Sequence, residues 1–73
     1  MTGYVYILQS EKTNRFYIGS TIDPIKRLKE HQSGKTKSLK RFLPVKLVFS
    51  QKYESLLIAR KIELKLKKLK RKL

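Results

Sequence analysis

Tyr6 and Tyr17 lie in two short apolar segments, "YVYILQ" and "RFYIG", separated by the polar Glu11-Lys12-Thr13-Asn14. Aromatic residues suit strands for packing reasons alone, but a phenol also carries a hydroxyl that can be aimed at a reacting group. Arg27 follows Tyr17 by ten residues and His31 follows Arg27 by four. A spacing of four places Arg27 and His31 on one face of a helix. Arg27 reads either as a solvated helix cation or as a planar fork of donors for a phosphate. His31 reads either as a cation favoured by the C-terminal helix dipole or as a proton carrier beside Arg27. Glu63 is the one acid of the final, strongly basic segment. It either pairs with Lys67 at i,i+4 or, kept ionised by the surrounding cations, holds a divalent ion. Mg²⁺ suits such a place, because it takes one or two carboxylates and completes its shell with waters and phosphate oxygens. With a single histidine and no cysteine, multi-histidine and cysteine-based zinc sites are excluded. No spacing signals a Ser-His-Asp hydrolase.

The elements that must position these residues follow from periodicity. The β-branched and aromatic "YVYILQ" reads as a strand and "RFYIG" as a second, joined as a hairpin. Alternation sets Tyr4, Tyr6 and Leu8 on one face and Val5 and Ile7 on the other. Whether Tyr6 and Tyr17 share a face depends on register, which the sequence leaves open. Asp23 is a good N-cap, Pro24 suits the first helical position and Ser33-Gly34 is a stop. They bound a helix of about ten residues, with Ile25 and Leu28 as its buried stripe. Residues 35–43 read as a loop or a short irregular helix. Pro44 opens a third strand in which Val45, Leu47 and Phe49 alternate with Lys46, Val48 and Ser50. From Ser55 onward the period becomes helical, with Ile58, Ile62, Leu66, Leu69 and Leu73 on one stripe. Glu63 falls at the border of that stripe, near Ala59. The expected fold is α+β: one domain over residues 1–73, a three-stranded antiparallel sheet flanked by helices, in the order β-β-α-β-α.

Composition narrows the partners. Nineteen Lys and Arg stand against five Asp and Glu, a formal charge of +14 on 73 residues. So small a surface with so large a charge attracts polyanions, and nucleic acid is the leading partner. An anionic membrane surface is the weaker reading: the last helix is basic and amphipathic but lacks Trp and other aromatic anchors. No run of about 18 apolar residues exists. Met1-Thr2-Gly3 leads straight into a strand without a signal-peptide layout, so the cytoplasm is the default expectation.

Taken in order, Tyr4-Val5-Tyr6, Tyr17-Ile18-Gly19, Arg27, His31 and Glu63 resemble the motifs of the GIY-YIG nuclease superfamily. The likeness is greatest to its small stand-alone bacterial members, related to the N-terminal domain of the excision-repair excinuclease. The stretches "YIGSTIDPIKRLKEHQSGK", "PVKLVF" and "ARKIELKLKKLKRK" carry it over nearly the whole chain. The resemblance implies an α/β sandwich with catalytic groups on one surface. It also implies metal-dependent hydrolysis of DNA phosphodiester bonds, in repair or DNA processing, with one Mg²⁺ or Mn²⁺ ion. Carried over, Tyr6 and Tyr17 are the tyrosines of the two motifs, Arg27 the helix arginine and Glu63 the metal-binding glutamate. His31 matches a histidine of some members. Gly19 would let the backbone pass close to the phosphate, and Gly19, Ser20, Lys26, Lys35 and Lys37 make the expected substrate-binding set.

On this reading Tyr17 takes the proton of the attacking water, and Tyr6 orients that water or shares the role. A phenol near pKa 10 is a poor base at pH 7, so the cationic field is expected to favour the phenolate. Three positions depart from the pattern. Tyr4 stands at the first motif's glycine. Ser20 stands where the excinuclease relatives have lysine. The chain ends at Leu73, ahead of a segment where many members carry a further polar residue, so a C-terminally shortened domain is expected. The last two features favour an alternative, a basic module that binds nucleic acid and cuts nothing.

Overall fold

A computed structural model describes residues 2–35 and 37–71 of the chain. Leu73, assigned above to the last helix's stripe, lies outside the described residues, and so does the side chain of Lys37. The elements run β1 (Gly3–Ser10), β2 (Phe16–Thr21), α1 (Pro24–Gln32), α2 (Lys37–Lys40), β3 (Val45–Tyr53) and α3 (Leu56–Arg71). The three strands form one antiparallel sheet in the order β2-β1-β3. The expected β-β-α-β-α order is present, with the single turn α2 added inside the 35–43 window.

β1 is central, and its alternating side chains feed two cores. Tyr6 and Leu8 join Leu39 and Val45, with Leu28, Phe42 and Leu47 packed against them. Val5 joins Ile18 and Ala59 on the opposite face, with Ile7, Ile62 and Leu66 alongside. So α1 and α2 cover one face and α3 covers the other, which is why β1 reads as an unbroken apolar run. The hairpin turn is held by Ser10, whose Oγ accepts from the Lys12 and Thr13 amides at 3.1 and 3.0 Å. Asn14 takes φ +63° there, a conformation asparagine tolerates.

α1 begins as its sequence dictates: the Asp23 carboxylate accepts from the Lys26 amide at 3.1 Å. Its buried face, however, is Leu28 and His31, whereas Ile25 is 57% exposed. The fully buried histidine fills the place that periodicity reserves for an apolar residue. β3 carries a bulge, because Ile7 pairs with Phe49 and Leu8 with Leu47, leaving Val48 as the extra residue. The bulge reverses the alternation, so Val45 and Leu47 share one face while Phe49 belongs to the other. α3 is rotated from the expected stripe. It seats Ala59, Ile62 and Leu66 on the sheet and leaves Ile58 39% and Leu69 60% exposed. The small Ala59 is wholly buried against Val5 and Ile18.

Candidate active site

Register answers what the sequence left open. Leu8 pairs with Tyr17 and Tyr6 with Gly19, so both tyrosines stand on the face covered by α1. The Tyr6 phenol lies across Gly19. A Cβ on that glycine would sit 2.5 Å from Tyr6 Cζ, closer than real contacts allow. Gly19 was expected to make room for a phosphate; in the structure it makes room for the phenol. Because β2 is an edge strand, this brings the Tyr6 hydroxyl to the margin of the sheet.

α1 supplies the next two groups. The Tyr6 hydroxyl and His31 Nε2 share a hydrogen bond of 3.0 Å. Ring centroids are 6.5 Å apart for Tyr6 and Tyr17, 5.9 Å for Tyr6 and His31, and 5.5 Å for Tyr17 and His31, the last edge-on. Three aromatic rings thus pack as one triangle. Burial, reinforced by the Arg27 charge and opposed by Glu30, lowers the pKa of His31, so the imidazole is neutral at pH 7. That speaks against the reading of His31 as a helix-end cation; the neutral ring is instead bonded to the Tyr6 hydroxyl. Arg27 pairs with Glu30 Oε2 at 3.3 Å. Its guanidinium also interacts with the Tyr6 hydroxyl, which raises the already high arginine pKa. At Tyr6 burial prevails over that help, with Tyr17 and Glu63 adding to it electrostatically, so the phenol is pushed up. The expected lowering by nearby cations does not hold for Tyr6.

Glu63 approaches from the other face. Ser20 follows Gly19 on β2, so strand alternation turns it toward α3. Its hydroxyl donates to Glu63 Oε1 at 2.5 Å, while Lys67 Nζ meets Glu63 Oε2 at 2.7 Å. The i,i+4 pair weighed from spacing is therefore present, and with it a partner that spacing did not suggest. Ser20 was expected to touch substrate; its observed task is to hold the carboxylate. The Glu63 side chain is only 17% exposed and its charge is felt at Tyr6. The two halves of the site thus meet around the β2 edge. Lys26 and Lys35 are exposed on α1 and just beyond it.

Among the described residues no group of three His, Cys, Asp or Glu is placed to cage a metal ion. A single, fixed carboxylate instead fits a hydrated Mg²⁺ or Mn²⁺ that draws its other ligands from water and phosphate.

The sequence model of the GIY-YIG catalytic domain matches residues 2–73. A "UPF0213 protein" of Syntrophus aciditrophicus (strain SB) is 46% identical over 71 residues, covering 93% of this chain and 79% of that one. A "UPF0213 protein" of Streptococcus pneumoniae serotype 4 is 41% identical over 69 residues, covering 93% and 69%. The "Structure-specific endonuclease subunit SLX1" of Meyerozyma guilliermondii is 71% identical over 28 residues, which are 37% of this chain and 10% of that one. No solved structure gives a significant match.

Proposed function

This chain belongs to the GIY-YIG family, and from that premise we propose that it is a divalent-metal-dependent endonuclease hydrolysing phosphodiester bonds of DNA. One observation carries the reading. The Tyr6 phenol, laid across Gly19 and bonded to His31, stands in contact with Tyr17 and Arg27. These are groups able to take a proton, orient water and bind a phosphate oxygen, gathered at one margin of the sheet.

Tyr17 is the half-exposed member of the pair and, as its phenolate, accepts the proton of the attacking water. Tyr6 orients that water. Its hydroxyl shares a hydrogen bond with neutral His31, and its oxygen takes a donor from Arg27. The remaining Arg27 donors bind phosphate oxygens as charge builds on them. Glu63, fixed by Ser20, is the ligand for the divalent ion. When bound, such an ion supplies Lewis-acid stabilisation of the phosphate and of the departing 3′ oxygen. The charge of +14 holds the DNA, through phosphates rather than bases.

The Ser20–Glu63 hydrogen bond also bears on the alternative of a non-cutting module. Ser20 in place of lysine favours that alternative as a departure from the family pattern; as a support for Glu63 it favours the nuclease. The test is supercoiled plasmid incubated with the protein in Mg²⁺, in Mn²⁺ and in EDTA. Nicking in metal that stops in EDTA is the expected result. Binding without nicking in either metal would make the chain a nucleic-acid-binding module.

A further inference from the structure

Both oxygens of Glu63 are engaged: Oε1 by the Ser20 hydroxyl at 2.5 Å and Oε2 by the Lys67 ammonium at 2.7 Å. The two partners differ in kind. Ser20 sits on a strand, is half-buried and is neutral. Its hydrogen bond is compatible with a cation on the other oxygen and would keep the carboxylate pointed while that cation changes. Lys67 is charged, rides on a long flexible stem and has a side chain 45% exposed. Only the lysine arm of this pair is exposed, and its flexible stem can swing the ammonium away without disturbing the packing around Glu63. An ammonium and a divalent ion cannot both sit against Oε2, since like charges at that range repel.

We propose that Lys67 is the placeholder for the divalent ion at Glu63, and that Ser20 is the positioning residue that holds the carboxylate while the two exchange. This rests on the reading of Glu63 as metal ligand. Glu63 is the one acid of α3, and among the described residues no group of three His, Cys, Asp or Glu is placed to hold the ion. Displacing Lys67 therefore sets how readily the ion enters. The displaced ammonium has an obvious destination, an oxygen of the phosphate that brings the rest of the ion's ligands. Metal uptake by the free protein is thus weak and nucleic acid favours it. By reciprocity the metal favours nucleic acid to the same degree. Pairing the carboxylate with a lysine also spares the free protein an unpaired, half-buried charge.

The test is Mn²⁺ titration of the full chain without nucleic acid, followed by electron paramagnetic resonance, with circular dichroism to establish folding. Lys67→Met and Lys67→Gln are expected to bind Mn²⁺ at least about threefold tighter than wild type, as removal of a neighbouring like charge requires. In the Lys67→Met background, Ser20→Ala should weaken binding by at least about threefold, and Glu63→Gln should abolish it. A merely structural Lys67 would not move Mn²⁺ affinity in the absence of substrate. Unchanged affinity in both Lys67 variants, with Glu63→Gln still reducing it, would overturn the placeholder and leave Glu63 as metal ligand. Mn²⁺ uptake indifferent to Glu63→Gln would overturn both.

Discussion

Tyr6 and Tyr17 differ in what surrounds their hydroxyls. Tyr6 is 2% exposed and bonded to His31, and burial pushes its phenol up. A buried phenol that resists ionisation is suited to orienting water, which leaves proton removal to the more open Tyr17. Tyr17→Phe keeps the ring that packs on His31 and removes the hydroxyl. It should abolish cleavage while leaving DNA affinity and the far-ultraviolet dichroism unchanged; normal cleavage would move the base to Tyr6. His31 makes a second prediction, in pH. Its folded pKa is lowered and its unfolded value is about 6.5. Above about 6.5 the imidazole is neutral in both states and its contribution to stability is complete. As pH falls below that value the unfolded chain takes up a proton that the folded chain refuses. Stability should therefore drop, by at most about 1.4 kcal/mol per pH unit, and level off below the lower, folded pKa. Urea denaturation between about pH 7.5 and 5 should show this slope in wild type and lose it in His31→Gln.

At the level of elements, what the sequence marks locally is what it made legible. Asp23 and Pro24 name the start of α1, Ser33-Gly34 its end, and the change from period two to helical period names β3 and α3. The motif tyrosines, Arg27 and Glu63 were picked out by their ordered resemblance to the family's motifs, while spacing alone left each with an ordinary structural reading, and the register that brings Tyr6 and Tyr17 to one face was not legible. Three other features were not legible either. The bulge at Val48 carries no Gly or Pro to announce it. The rotation of α3 was hidden because Leu57, Ile58, Leu64 and Leu69 all offer apolar surface off the buried face, so hydrophobicity alone does not choose the side. The choice is made by Ala59, whose small side chain lets the helix close on Val5 and Ile18. The hydrogen bond from Ser20 to Glu63 was not legible, although alternation against Gly19 turns Ser20 toward the last helix. The rotation is testable: Ala59→Leu should cost about 1–3 kcal/mol by overpacking. Ile58→Ala, the favoured core residue from periodicity, should cost less than about 1 kcal/mol because it opens no cavity in the core. Equal, large losses at both positions would contradict the observed seating.

The molecule as a whole measures 32 × 30 × 19 Å and carries +14. A duplex running along 30 Å presents roughly 18 phosphates, at one charge per about 1.7 Å, and with about a third of them facing the protein, about six are neutralised. Log K for duplex binding should then fall with log salt at a slope of about −5 between about 50 and 200 mM, as fluorescence anisotropy would record. A flat response would remove the electrostatic account of how DNA is held.

In the proposed reaction the tyrosines, Arg27 and the basic surface serve a phosphate brought to Glu63, the one acid of α3, which Ser20 holds by a hydrogen bond at the margin of the sheet. The decisive measurement is the rate of plasmid nicking by Glu63→Gln beside wild type, in Mg²⁺ and in Mn²⁺, on protein that dichroism has found folded. The account requires that the variant bind DNA without metal at least as well as wild type, since a negative charge has left a surface that faces phosphate, and that it fail to nick. A folded, DNA-binding Glu63→Gln protein that nicks at the wild-type rate in either metal would contradict it.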